Sequence, residues 1–456
     1  MNMLKDISLP ILKLALPLIL IQICQASLGV INTMVAGRYH YIDLAGIGLG
    51  SNMWTPVFIL FTGILYVLVP KISAMQQTNK AEIATLIQQG KKVAFLLSVF
   101  GFVLIQLLAL ISPWLIENPQ VASIAKHYLH FVGFAVPGLV YMTLFRFISE
   151  GHSLLKPIML TYLILLICDA SLCVALVNGF AFLPEMGGAG TGLATAISAY
   201  IACFCMYQFV AKSVPELKAN RVKVSIQQGL ALLKQGLPIG ITLVLQILAL
   251  TTLAFFASQL GAKSIAAHQI IINIAMLIIM IPIAISSATT IRVAYFSATH
   301  DYQSKLATSG AVAVMTLIYG MVIAGLLVTF AAPLTGLFSQ DTEVVNIAIG
   351  LMAFVAIFLI FDAIQTVASG VLRGLHQFMQ PLFVILFCYW LIIIPLSYVM
   401  GVKGWLQQEA NVEVIWLVLT CGIALAALLL VIQSYRYLIQ SNVPMEEPDK
   451  MELEHS

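Results

Sequence analysis

Apolar residues run along this chain in long unbroken stretches, and polar residues gather between them. Twelve stretches stand out, near 10–36, 43–70, 93–113, 123–147, 157–179, 188–211, 229–258, 264–290, 307–330, 342–369, 379–400 and 413–437. A helix needs about 20 mainly apolar residues to cross the hydrocarbon layer of a bilayer. The pattern therefore predicts an all-α integral membrane protein with twelve transmembrane helices. Little chain is left over for a soluble catalytic or nucleotide-binding domain. The phosphate-binding pattern G-x-x-x-x-G-K-[ST] and the zinc-protease pattern H-E-x-x-H are both absent from the sequence. An ATP-driven pump within this chain is thereby excluded, and neither an enzyme activity nor a nucleic-acid partner is expected.

Two carboxylates interrupt the apolar pattern. Asp169 lies in LILLICDASLCVALV (163–177) and Asp362 in LMAFVAIFLIFDAI (351–364). A carboxylate at mid-bilayer costs roughly 2.5–3.5 kcal/mol on insertion scales, so such a residue faces protein or a water-filled cavity and marks an ion or substrate path. Gln22, Gln25, Gly29 and Asn32 follow one another at spacings of three, four and three, which places them on one helical face. Asp362, Gln365 and Ser369 share a face in the same way. Pro17 stands before the first stripe, where it frees a backbone carbonyl and permits a hinge. Arg146 and Glu150 are spaced i,i+4 and read as a surface ion pair ending the fourth helix. Arg373 reads as a membrane-edge anchor or a contact between lobes. The lone His268 reads as a hydrogen-bonded structural residue.

Composition sharpens this picture. The chain of 456 residues is 61% hydrophobic and only 9% charged. Of its 22 Lys and Arg residues, only Arg38, Lys126, Lys263 and Lys403 fall on one side of the expected membrane. The excess on the other side places both termini in the cytoplasm. Eighteen Met and 24 Phe residues suit a deformable, promiscuous pocket, with Trp54, Tyr141, Met142 and Phe145 as candidate lining. The seven cysteines all fall in apolar segments and read as packing residues. The first apolar segment is too long for a cleaved signal peptide.

The chain also repeats itself. LKLALP at 12–17 answers LKQGLP at 233–238, a shift of 221 residues, and at that shift Gln25 falls on Gln246, Ala36 on Ala257, Ala45 on Ala266 and Lys71 on Arg292. A second echo sets Glu150-Gly151 and Pro157 against Arg373-Gly374 and Pro381, with a one-residue gap. The expected units are an N-terminal six-helix lobe (1–211), a basic cytoplasmic linker (212–228), a C-terminal six-helix lobe (229–440) and a disordered acidic tail (441–456). An even number of helices per repeat relates the lobes by an axis along the membrane normal.

Several landmarks then resemble a known family. They are Asn32-Thr33 through Gly37-Arg38, Gly187-Gly188-Ala189-Gly190 with Ala194-Thr195-Ala196, Leu237-Pro238, Ala266-Ala267-His268-Gln269 with Asn273, and Leu372-Arg373-Gly374 with Pro381. In order and spacing they resemble the MATE (multidrug and toxic compound extrusion) transporters, in the bacterial branch with two six-helix lobes, over nearly the whole chain. The resemblance implies a V-shaped pair of lobes and export of amphipathic, often cationic, organic compounds in exchange for Na⁺ or H⁺. Departures are informative. Relatives carry Asp where this chain has Asn32, and an Asn-rich fifth helix where it has Asp169. The next polar position of that helix is Cys173. In the other lobe, Gln246 and Phe358 replace a Glu and a Tyr that partner the acid kept here as Asp362.

The expected cation-coupling residues are Asp169, Asn32, Thr195 and Asp362, with Asn178 a further neutral ligand for Asp169. Substrate contacts are expected from Gln25, Gln246, Gln269, Asn273, Gln365, Tyr141 and Met142. A buried carboxyl group favours its neutral form and so suits proton loading and release. Na⁺ at Asp169 or Asp362 is the alternative, and no other cofactor is expected. The reading is a monomeric inner-membrane antiporter exporting cationic organic molecules. Its rivals are a lipid-linked oligosaccharide flippase and a member with weakened ion coupling. A flippase cavity for an anionic substrate calls for Lys or Arg, and here these sit at helix ends and loops.

Overall fold

The computed structural model describes residues 2–180, 184–218, 224–404 and 411–440. The expected acidic tail, 441–456, and residues 219–223 of the linker lie outside the described residues. Among the described residues there is no strand, and twelve helices are long and apolar enough to cross a membrane. They are α1 (Leu9–Tyr39), α2 (Tyr41–Gln76), α3 (Lys80–Leu115), α4 (Pro119–Gly151), α5 (Leu155–Asn178), α6 (Ala189–Ser213), α7 (Ile226–Gln259), α8 (Ala262–Ala298), α9 (Tyr302–Thr329), α10 (Thr342–Gly374), α11 (Met379–Val402) and α12 (Val412–Gln440).

Several helices overrun the apolar stretches that predict them. Helix α3 starts at Lys80, well before the apolar run at 93, because hydropathy locates the lipid crossing and says nothing of where helical hydrogen bonding stops. The polar segment KAEIATLIQQGKK is made largely of good helix formers. Helix α1 continues unbroken through Pro17, so the hinge expected there is no break in this conformation. Helix α11 departs furthest from regularity: Leu386–Ile393 and Ser397–Val402 are wound as π-helix. The start of α7 is set by a capping box, in which Ser225 Oγ accepts from Gln228 N and Gln228 Oε1 accepts from Ser225 N. Lys91 and Lys92 of α3 donate to the carbonyls of Leu217 and Val224, strapping the linker's described ends to the first lobe.

Helices α1–α6 pack chiefly on one another, and α7–α12 do the same. The two lobes meet where α2 runs against α7 and α8, α1 against α8, and α3 against α7. One apolar core lies wholly within the second lobe. The other belongs to the first lobe but takes in Ile239, Ala284, Ile285, Ala288 and Ile291, all from the halves of α7 and α8 nearest their junctions with α6 and α9. The lobes are thus joined at one end, where α1 starts and α12 stops. The join is tight because small residues allow it: a Cβ on Gly63 would lie 2.4 Å from Gly240 Cα, and one on Gly236 would lie 2.1 Å from Ile64 O. In lipid, where burial of apolar area gives helices no advantage over lipid contact, such close packing is the main attraction between them.

Hydrogen bonds cross the same end. Tyr66 Oη donates to Ser287 Oγ at 3.2 Å, and Ser73 Oγ donates to Ile291 O at 2.8 Å. At the other end, polar ties stay within a lobe. Asp43 Oδ1 accepts from Gly188 N at 2.5 Å, Tyr39 Oη donates to Glu185 Oε1 at 2.8 Å, and Lys263 pairs with Glu343. The result is a V with its apex at the end where α1 starts and α12 stops.

Candidate functional site

Asp169 sits inside the first lobe, almost fully buried on α5. Its Oδ1 receives a hydrogen bond from Ser198 Oγ of α6 at 2.9 Å. Ser198 Oγ also lies 2.7 Å from Ala194 O and 3.2 Å from Thr195 O. A hydroxyl has one hydrogen to give and two lone pairs to offer. Ser198 can therefore donate to an ionised Asp169, or turn to Ala194 O and accept from a protonated one. The site accommodates both charge states without rearranging its backbone.

Asn32 of α1 completes the cluster by donating its Nδ2 to Thr195 Oγ1 at 3.3 Å. Asn32, Thr195, Ser198 and Asp169 thus form one connected polar chain, with Ser198 Oγ beside both Thr195 O and the Asp169 carboxylate. Asp169 Oδ2 and Asn32 Oδ1 are buried with no hydrogen-bond donor. The carboxylate's own free oxygen and that of Asn32 are the two atoms here that could hold a proton or a small hard cation. The structure thus brings together Asp169, Asn32 and Thr195. It also shows Ser198, three residues after Thr195 on the same face, which the sequence reading passed over. Asn178, expected as a ligand, is exposed and donates to Val174 O instead. It lies at the end of α5, more than two turns beyond Asp169. Cys173 is buried among Leu176, Val177 and Ala194 and acts as packing.

Asp362 anchors a second cluster in the other lobe. Gln365 Nε2 donates to Asp362 Oδ1 at 3.0 Å and to Tyr389 Oη at 2.7 Å. Gln246 lies toward Tyr389 and not against Asp362. Asp362 Oδ2 and Gln365 Oε1 are buried without donors. The hydroxyl expected to be missing at Phe358 is supplied here by Tyr389, from the π-helical part of α11. Phe358 itself packs edge-on against Trp416 at 5.7 Å between ring centroids. Trp416 Nε1 donates to His268 Nδ1 at 3.2 Å, which gives buried His268 the structural role expected of it. No group of three or more His, Cys, Asp or Glu side chains suited to a metal ion occurs among the described residues.

The remaining candidates divide. Asn273 precedes Ala284 by eleven residues, three turns of helix. It therefore continues, into the open half of the V, the α8 face that meets the first lobe below. Gln269 Nε2 donates to Asn273 Oδ1 at 3.2 Å, and both are exposed. Gln25 is half-buried and is held by Arg146 Nη1 at 3.1 Å. Tyr141 is half-buried against Phe145. Met142 is a correction: it is 2% exposed within the first lobe's core, leaving no surface for a substrate. Periodicity put it on α4 but did not show how many neighbours surround that helix.

Arg146 and Glu150 are a second correction. They are not a surface pair. Glu150 is fully buried and Arg146 nearly so, 3.6 Å apart at Nε and Oε2. Arg146 also donates to Tyr162 Oη at 3.0 Å and lies within 3.5 Å of Gln22 Oε1. The other helices of the first lobe cover this end of α4, which spacing along one helix does not reveal. Arg373 makes the lobe contact that was one of its two expected roles. Its guanidinium lies 5.2 Å from the centre of the Tyr66 ring and donates to Ser286 Oγ at 2.9 Å.

Comparison with known proteins places this architecture. The MatE family pattern matches residues 17–175 and 238–399, one stretch in each lobe. The chain belongs to the MatE family. This is a family of membrane transporters and not of enzymes. Among curated relatives, the chain is 30% identical to the multidrug resistance protein MdtK of Cronobacter sakazakii, covering 92% of this chain and 93% of the relative. It is 29% identical to the probable multidrug resistance protein NorM of Mannheimia succiniciproducens, over 95% and 94%. Among solved structures it is similar in fold to the eukaryotic MATE transporter AtDTX14, with a TM-score of 0.85 at 18% identity over 96% of this chain and 99% of that one. The bent form of the Vibrio cholerae MATE transporter VcmN gives a TM-score of 0.82 at 16% identity, over 97% and 99%. As a MatE transporter, the chain is a multi-pass membrane protein with small-molecule substrates.

Proposed function

We propose that this MatE protein is a secondary antiporter of the bacterial inner membrane. It exports organic, cationic and amphipathic drugs or metabolites in exchange for H⁺ or Na⁺, and it works as a single chain with both termini in the cytoplasm. On that orientation the V is closed toward the cytoplasm and open to the outside, so the lobes stand in the releasing state. The names of its relatives, multidrug resistance proteins, support drugs as the substrate class.

One observation carries the coupling role: Asp169 is a carboxylate buried in a membrane helix with Oδ2 unpaired and Ser198 able to serve either of its charge states. Entry of a cation from outside neutralises this site. Coupling then requires that the cation bind with different affinity in the two access states. A proton needs only the Asp169 oxygen. Na⁺ would draw on Asp169 Oδ2, Asn32 Oδ1 and Thr195 Oγ1 together. Asp362, linked through Gln365 to Tyr389, is the anchor for the positive charge of the substrate or a second protonation site. Exposed Gln269 and Asn273 offer amide contacts along the open cleft. The buried arginines, Arg146 and Arg373, have partners at the closed end, which keeps these two from an anionic substrate and counts against the flippase reading.

The test is dye export from everted membrane vesicles under imposed H⁺ or Na⁺ gradients. Asp169→Asn should abolish the gradient dependence. Undiminished gradient-driven export by Asp169→Asn combined with Asp362→Asn would overturn the reading.

A further inference from the structure

A cavity of about 530 Å³ opens where α5 starts and α6 ends. These two helices pack chiefly on α1, α4 and each other, so the cavity lies on the perimeter of the first lobe. Lys156 and Lys212 line it with Ser153 and Ser213, and no acidic side chain does. Both lysines are exposed, and neither pairs with a carboxylate among the described residues. Lys156 is the second residue of α5 and Lys212 the last but one of α6, which sets both at the membrane edge. The turn that forms one wall is fixed by its own backbone, with Ser153 N donating to Glu150 O at 2.8 Å and Leu154 N to Ser149 O at 2.9 Å. Below the lysines the surface turns apolar. Lys156, Leu160, Leu163 and Ile167 follow at spacings of four, three and four and are all exposed, so one stripe of α5 descends from the charge into the bilayer. On α6, Phe209 lies one turn below Lys212, and exposed Ile201 two turns deeper.

We propose that this cavity seats one anionic phospholipid, its phosphate diester between Lys156 and Lys212 and its acyl chains along the two apolar stripes. The match is one of chemistry at each depth. Two unpaired cations meet the head group, two serine hydroxyls offer it hydrogen bonds, and Leu160 and Phe209 meet the chains one turn below. Basic pockets between helices at the membrane edge bind anionic head groups in this way. A zwitterionic lipid brings an amine of its own, which two lysines repel and no carboxylate in the lining attracts. A free phosphate ester would use the rim and leave the stripes bare. Each lysine belongs to a different helix, so the head group bridges α5 and α6. The same two helices make the Asp169–Ser198 contact, 13 residues beyond Lys156 and 14 before Lys212, or about 20 Å along each helix. A lipid seated here braces the helix pair that carries the candidate ion site. The proposal holds whichever ion couples transport, and only the choice of the inner leaflet rests on the orientation given above.

The experiment titrates the full chain, purified in a neutral detergent, with short-chain phosphatidylglycerol, short-chain phosphatidylcholine and glycerol 3-phosphate. Retained lipid is counted by native mass spectrometry, and the thermal unfolding temperature is followed in parallel. The parent should bind phosphatidylglycerol roughly tenfold or more tightly than phosphatidylcholine, since a lysine near an anionic group is worth about fivefold and two are present. Phosphatidylglycerol should also raise its unfolding temperature, because a ligand of the folded state stabilises it. Lys156→Gln and Lys212→Gln should each weaken phosphatidylglycerol binding by roughly fivefold, leave phosphatidylcholine unchanged and reduce the thermal gain. Lys156→Arg should keep most of the affinity. Lys234→Gln, exposed on the same side of the membrane but outside the cavity, should behave as the parent does. Equal affinity for the two lipids would overturn the proposal, as would a loss in Lys234→Gln that matches the loss in the cavity variants. Glycerol 3-phosphate binding as tightly as phosphatidylglycerol would overturn the lipid in favour of a soluble anion.

Discussion

Tyr66 and Ser287 are 221 residues apart, and the hydroxyl of the first donates to the hydroxyl of the second at 3.2 Å. That separation is also the shift of the internal repeat. A residue that touches its own repeat counterpart must lie on the axis relating the two lobes. The contact therefore locates the pseudo-twofold axis at the closed end of the V, between α2 and α8. Around this axis the packing is near-symmetric while the chemistry is not: phenol faces hydroxyl, and Glu150-Gly151 answers Arg373-Gly374 in the repeat.

Asp169→Asn should retain fold and dye binding but lose ion-driven export, by at least tenfold in initial rate. Asp169→Glu should keep a fraction of it, because the carboxyl group survives in a tight pocket. Transport assays in vesicles, set beside dye binding to the purified protein, separate coupling from substrate affinity.

Ser198→Ala removes the donor to Asp169 Oδ1. A hydrogen bond to a charged group is worth about 1.5–3 kcal/mol, which corresponds to a shift of roughly tenfold or more in the ion concentration giving half-maximal export. Thr195→Ser keeps a hydroxyl there and should shift it much less.

Asn32→Asp places a second carboxyl group beside Asp169. Two adjacent carboxylates do not both ionise readily, so the ion dependence of export should change in steepness or midpoint. An unchanged titration would show that Asn32 and Asp169 do not share a site.

Arg146→Met strips buried Glu150 of its partner within the first lobe. Removing one member of a buried pair costs about 3–5 kcal/mol, seen as a marked fall in the thermal unfolding temperature in detergent. Adding Glu150→Gln should recover much of the loss, since no uncompensated charge then remains.

Gly236→Val should block the approach of α7 to α2, where even a Cβ meets Ile64 O at 2.1 Å. Overpacking of this kind costs about 1–3 kcal/mol and here would prop the closed end apart, so export should fail. Gly48→Ala, on the same helix as Ile64 but with nothing within 4 Å, serves as the silent control.

Much of this was legible in the sequence, for definite reasons. Crossing a membrane demands a run of apolar residues so long that all twelve helices declare themselves, and Asp169 and Asp362 stand out because lipid tolerates them poorly. Repetition showed itself at Pro17 and Pro238, where the backbone needs the same residue type in both lobes. What stayed hidden was tertiary. Glu150 at spacing i,i+4 from Arg146 reads as a surface pair until the helices packed around α4 cover it. Met142 and Cys173 are interchangeable with lining residues in a one-dimensional pattern. Tyr389 was missed because it replaces a hydroxyl expected on α10 from a different helix, and only the folding of α11 against Gln365 joins them.

The π-helical winding of α11 carries an evolutionary consequence. A π turn holds more residues than an α turn, so Leu386–Ile393 stores surplus chain inside a membrane span. Deleting one residue there would let the segment relax to α-helix, re-aiming the side chains within it while the helix on either side keeps nearly its present orientation, because the π turn holds its extra residue locally. Tyr389 and Trp390 would be offered to a different part of the cleft in a single genetic step. Insertions and deletions, usually confined to loops, are thus an available route by which descendants of this chain can re-tune the second lobe's pocket.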